Sequence, residues 1–201
     1  MLQPVTYELI EPAEIDRDSL PSTISRVLDN ELAGFILRSS AGFDDVIRVA
    51  KETGLEGDTK LSAPFRYKVD ISELSGLADR GERPVGEDWS SYGITPLHAD
   101  GETGDRMLSV SRVLLGNYEV RVFERNPAID EIEPVELWDK LDEQNANIML
   151  DGTVDDSVLV PKATILAVQS GDTIVFNPSN PHMGVTISAP RSSESTFFRA
   201  W

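Results

Sequence analysis

Residues 171–184 read GDTIVFNPSNPHMG. Thr173 to Phe176 is a short run of β-branched and apolar residues, the composition of a buried strand. The asparagines and prolines that follow break it with a tight loop. The chain then re-enters extended structure at His182, one of two histidines in 201 residues. A strand, a short polar turn and a second strand is the unit from which antiparallel rolls are built.

The same unit recurs on both sides. FRYKVDIS (65–72) alternates in polarity, YGITPLHAD (92–100) reads as an edge or bulged strand around Pro96, and MLSVSRVLL (107–115) and YEVRVFE (118–124) flank Gly-Asn, a hairpin turn signal. ATILAVQ (163–169), MGVTIS (183–188) and SESTFFRAW (193–201) complete the series, with Ala189-Pro190 read as the turn of a last hairpin. Before residue 60 the pattern is helical. A helix starts at Pro21 with Ile24, Val27 and Leu28 on one face, and a second carries Phe43, Val46, Ile47 and Ala50, with GFILR as a strand between them. The expected fold is mainly β with N-terminal helices (α+β), built on a double-sheet β-roll, and organised as one domain. Residues 1–59 form a helical and strand support, residues 60–201 the core, and an acidic stretch at about 126–157, helical from Val135 to Leu141, an insertion or lid.

Composition narrows the function. The net charge of −17 disfavours nucleic acid and anionic membrane surfaces as partners. The absence of cysteine excludes disulfides, thiolate metal sites and a cysteine nucleophile. The acidic N-terminus lacks an apolar secretory core, and no apolar run approaches the ~18–20 residues of a membrane span, so a cytoplasmic protein is expected.

The chemistry gathers on few residues. His98 and Asp100 lie two apart on a strand, so both side chains face one side. With His182 they supply two imidazoles and a carboxylate, the donor set of a facial triad that leaves open positions on an octahedral metal. Arg191 follows His182 by nine positions and Ser193 lies two further on, a guanidinium and a hydroxyl suited to gripping a carboxylate.

HAD (98–100), then GDTIVFNPSNPH (171–182), then Arg-Ser-Ser (191–193) resembles the Fe(II)/2-oxoglutarate-dependent dioxygenase superfamily. The resemblance covers roughly residues 88–201. It implies a double-stranded β-helix (jelly-roll, cupin-like) core, Fe(II) on His98, Asp100 and His182, and 2-oxoglutarate on Arg191 and Ser193. Arg199 is the alternative co-substrate anchor or a substrate contact. Tyr92, six residues before His98, resembles the family's co-substrate-touching residue on this strand. A carboxylate at Asp100 distinguishes oxygenating members from halogenating ones, which carry Gly or Ala there. The implied reaction is O2-dependent hydroxylation of a small molecule such as an amino acid or biosynthetic intermediate, with no catalytic group beyond the metal ligands. Arg66, Arg106 and Arg112 are candidate contacts for an acidic substrate, and SAPFRYK (62–68), GETGDRM (101–107) and the 126–157 stretch are the segments expected to shape its site. The alternatives are a non-catalytic jelly-roll binding protein or another metal-dependent β-roll enzyme.

Overall fold

The structure is a computed structural model that describes residues 5–12, 15, 17–39, 41–62, 64–101, 104–132 and 134–199. In chain order its elements are β1 (Val5–Thr6), β2 (Glu8–Ile10), α1 (Leu20–Leu28), β3 (Gly34–Leu37), α2 (Ala41–Glu52), β4 (Glu56–Leu61), α3 (Ile71–Asp79), a 3-10 helix (Gly86–Tyr92), β5 (Ile94–His98), β6 (Met107–Arg125), α4 (Pro134–Ala146), β7 (Thr153–Val154), β8 (Leu159–Gln169), β9 (Thr173–Phe176) and β10 (His182–Arg199). No helix among the described residues is long and apolar enough to cross a membrane.

Two long antiparallel strands organise the molecule. The distal half of β6 pairs with the first half of β10, from His182 opposite Val122 to Ser188 opposite Asn117. Its proximal half pairs with the rest of β10, ending with Arg199 opposite Met107. Gly-Asn at 116–117 and Ala-Pro at 189–190 are therefore not hairpin turns, as the sequence suggested. They are where one continuous ribbon changes register as it passes from sheet to sheet. Gly116 is required there: its φ is +83°, and an added Cβ would lie 2.7 Å from Pro190 O and 2.8 Å from Ser188 O.

Each half of the ribbon recruits its own neighbours. One sheet runs β2-β8-β6-β10-β5, the other β3-β9-β6-β10-β4. The result is a double-stranded β-helix. Val113, Val120, Val122, Leu166, Val168, Ile174 and Phe176 pack between the sheets. The apolar faces of α1 and α2 cover the outside of the second sheet, through contacts of Ile24, Val27, Phe43 and Val46 with Leu108, Val110 and Phe198.

FRYKVDIS does not form a strand. Asp70 Oδ1 accepts from the backbone N–H groups of Ser72 (3.0 Å) and Glu73 (3.2 Å), a cap that starts α3 and outweighs the alternating pattern. Only Phe65 keeps a β-bridge, to Arg191. The acidic 126–157 stretch is not a lid. Leu141, Ala146, Ile148 and Met149 are buried against Ile94 and Leu97 of β5 and Met183 and Val185 of β10. Asn145 Oδ1 accepts from Leu97 N at 3.0 Å, and Asp142 Oδ1 from Gly86 N and Trp89 Nε1. The segment braces the back of β5, because its apolar positions need a sheet face to cover.

Gly116→Ala should cost more stability than Gly171→Ala in denaturant unfolding. Gly171 also has positive φ (+91°) but open space around it, so it carries only the ~1–2 kcal/mol of left-handed backbone strain. Equal losses would mean that the close approach of the two ribbon strands at Gly116 contributes nothing.

Candidate active site

His98 ends β5 and His182 opens β10, and the two are directly opposed in the strand pairing. Cross-strand partners project side by side, and the imidazole centroids are 4.3 Å apart. Asp100 completes the group: Oδ1 is 3.7 Å from His98 Nε2, and Oδ2 is 4.0 Å from His182 Nε2. One ligand atom from each of the three residues lies within 4.8 Å of the others.

The ring orientations are set by the main chain. His98 Nδ1 lies 2.7 Å from Pro96 O and His182 Nδ1 2.9 Å from Asn180 O. A carbonyl only accepts, so each Nδ1 carries a proton, and in the neutral ring Nε2, the nitrogen facing Asp100, is then the one with the lone pair. This is the tautomer a metal requires. Burial pushes the His182 pKa down to about 3; the neighbouring His98 adds to the shift and the Asn180 hydrogen bond opposes it. His182 is therefore neutral at neutral pH and ready to ligate.

The Asn177–Pro181 loop explains why a rare histidine follows a proline-rich turn. Its carbonyls are fully committed. Pro178 O accepts from Asp100 N (2.9 Å), Ser179 O from Arg125 Nη1 (2.5 Å), Asn180 O from His182 Nδ1, and Pro181 O from Phe123 N (2.8 Å). Asn177 and Asn180 both donate to Asn30 Oδ1, at 2.9 and 3.0 Å, which fixes the loop against the end of α1. The turn is a buried polar anchor that presents His182 and holds Asp100 beside it.

A cavity of about 400 Å³ contains the triad together with Thr95, Tyr118, Arg191 and Ser193. Arg191 is clasped between two aromatic rings, its guanidinium carbon 4.4 Å from the Tyr118 centroid and 4.7 Å from that of Phe65. It donates to Thr186 Oγ1 (3.3 Å) and Thr95 Oγ1 (3.5 Å). Among the described residues no carboxylate lies within ion-pair distance of it. Burial pulls the Arg191 pKa down and raises that of Tyr118, and each group's proximity opposes the other's shift. A largely buried guanidinium without an acidic partner is costly until an anion arrives, and its planar fork suits a carboxylate. Gly184 leaves room for it, since a Cβ there would lie 3.3 Å from Arg191 Nη1.

The other expected residues fare differently. Ser193 reaches the cavity, with its Oγ 3.3 Å from Ser62 Oγ. Tyr92 does not: it closes the 3-10 helix before Gly93 (φ +76°), so strand parity with His98 fails, and it packs on the apolar core behind β5. Arg199 shares the face of Arg191, Ser193 and Ser195 but lies beyond the cavity, exposed in a neighbouring depression with Glu56 and Asp58. Arg112 points to the opposite side of β6 and is held by Glu194 and the Phe43 ring. Arg66 is exposed outside the cavity, and Arg106 pairs with Asp29 at the surface. Within GETGDRM, Glu102 and Thr103 lie outside the described residues, as does Ala63 within SAPFRYK. Tyr118, Phe65 and Thr95 were not foreseen. Each reaches Arg191 from a different part of the chain, and only the spacing of Tyr118 from Val120 along β6 hinted at an inward face.

Fold and site together define a double-stranded β-helix protein with a His-Asp-His cluster that could hold a metal ion. No family model matches the sequence, and no curated protein does. Solved structures match the fold at low identity. They include the Kdo hydroxylase KdoO, a non-heme Fe(II) alphaketoglutarate-dependent dioxygenase (10% identity, 96% of this chain and 89% of that chain, TM-score 0.45). An N-substituted L-amino acid dioxygenase from Burkholderia ambifaria also matches (12%, 89% and 86%, TM-score 0.39). So does AviO1 from Streptomyces viridochromogenes (10%, 78% of this chain, TM-score 0.40), of which this chain spans 57%.

The depressed His182 pKa gives a pH signature in metal-free protein. Between about 6.5 and about 3 the unfolded chain protonates this imidazole and the folded chain does not, so stability falls as pH falls through that window. Chelator-treated wild type should lose up to about 1.4 kcal/mol per pH unit more than His182→Gln there, by denaturant unfolding. Parallel pH profiles would contradict this.

Proposed function

We propose that this chain is an Fe(II)- and 2-oxoglutarate-dependent oxygenase of the hydroxylase type, acting on a small molecule such as an amino acid or biosynthetic intermediate. The observation that carries the reading is that a ligand-ready His-Asp-His face and a carboxylate-free, aromatic-clasped arginine open into one cavity. The donor set suits Fe(II), with two neutral nitrogens and one carboxylate on one side. Iron with bound 2-oxoglutarate supplies O2 activation at its open positions.

The chain's own residues do the rest. His98, Asp100 and His182 hold the metal. Arg191 grips the far carboxylate of 2-oxoglutarate, with Ser193 and Tyr118 beside it as further hydrogen-bonding groups, and the Phe65 and Tyr118 rings hold the guanidinium between them. Arg199 lies too far along β10 for that role and falls to the substrate side. Ser109, Ser111, Ile174 and Phe176 line the remaining wall, where the substrate is oriented and water limited. Residues 1–201 act as one catalytic unit, cytoplasmic and without a nucleic-acid partner, in which residues 1–59 support the core.

Anaerobic titration with Fe(II) and then 2-oxoglutarate should produce a weak visible charge-transfer band near ~500 nm. His182→Ala should abolish it. Arg191→Ala should keep metal binding but weaken 2-oxoglutarate by about 10–100-fold, the scale of a lost charge-assisted pair. Metal uptake without any 2-oxoglutarate response would favour another metal-dependent β-roll enzyme. No binding of either would favour a non-catalytic jelly roll.

A further inference from the structure

We propose that Arg125 is the positioning residue of the metal site, a cross-brace that fixes the separation of Asp100 and His182. This rests on the metal reading above. Arg125 ends β6, and its side chain is 10% exposed. Its Nη1 donates to Gly101 O at 2.7 Å and to Ser179 O at 2.5 Å. Gly101 directly follows Asp100, and Ser179 lies in the loop that delivers His182. The guanidinium is itself oriented by Asp130, which accepts from Nε at 3.1 Å and also pairs with Nη2.

The geometry separates this role from direct contact. Arg125 does not line the cavity that holds the triad; it lines a separate one, with Asn30, Lys162 and Asn180. No hydrogen bond joins it to a ligand side chain among the described residues, so it acts through the two backbones. A planar guanidinium can serve two carbonyls and a carboxylate at once, whereas a lysine ammonium at the same site cannot reproduce that fork. Without the brace, the Asp100 N–Pro178 O bond and the paired strands still hold the loops near each other, but the carboxylate and imidazole can drift apart. The protein folds, and it binds a divalent cation less tightly.

The test is Co(II) titration of metal-free protein, followed by its visible bands, well below the melting temperature. Wild type should bind one Co(II). Arg125→Met should bind about 10–100-fold more weakly, as expected when a residue orienting metal ligands is lost, and Arg125→Lys should recover part of that. Arg38→Met is the control. It removes the Arg38–Asp172 ion pair (2.6 Å), neither member of which lines the triad cavity, and should lower the melting temperature while leaving Co(II) affinity unchanged. Co(II) affinity in Arg125→Met equal to wild type overturns the proposal and leaves the metal reading standing. A wild type that binds no Co(II) removes both. Should Arg125→Met not fold, Asp130→Asn and Arg125→Lys decide by the same measurement: weakened Co(II) binding supports the brace and unchanged binding overturns it.

Discussion

The antiparallel pairing of β6 with β10 is the constraint on which the rest of the molecule depends. Because both strands belong to both sheets, a single ribbon fixes how the sheets face each other and what they enclose. It also puts His182 and Arg191 on one strand, so the imidazole and the guanidinium that share the cavity are spaced by backbone geometry. β5 then needs only to pair with the start of β10 to bring His98 opposite His182.

The helices and the candidate site were legible in the sequence for different reasons. α1 and α2 announced themselves because their apolar residues recur with helical period against one sheet. His98, Asp100 and His182 stood out because histidine is rare here, and Arg191 and Ser193 because they follow at short range on the same strand. What failed was turn chemistry. Gly116-Asn117 and Ala189-Pro190 have the composition of hairpin turns, and only their cross-strand partners reveal a ribbon running straight through. FRYKVDIS failed because one capping carboxylate, Asp70, decides the start of α3 more strongly than alternation does. Tyr92 failed because a left-handed glycine resets the direction of the chain between it and β5. Phe65 and Tyr118 were not assigned to Arg191 because their meeting on it depends on three segments distant in sequence.

The electrostatics are organised on two scales. The chain as a whole is strongly acidic, yet the cavity sets a cation against aromatic faces and withholds a carboxylate from it. At the surface, Arg38, Arg48 and Arg106 each have an acidic neighbour. Arg191 has no such neighbour among the described residues.

Both imidazoles are keyed to main-chain carbonyls, Pro96 O and Asn180 O. In many metal proteins a carboxylate behind the histidine does this work, and altering it detunes the metal. Here the tautomer and the aim of each ring are inherited from backbone hydrogen bonding. Side chains of the cavity wall can therefore change without touching the groups that aim the two rings.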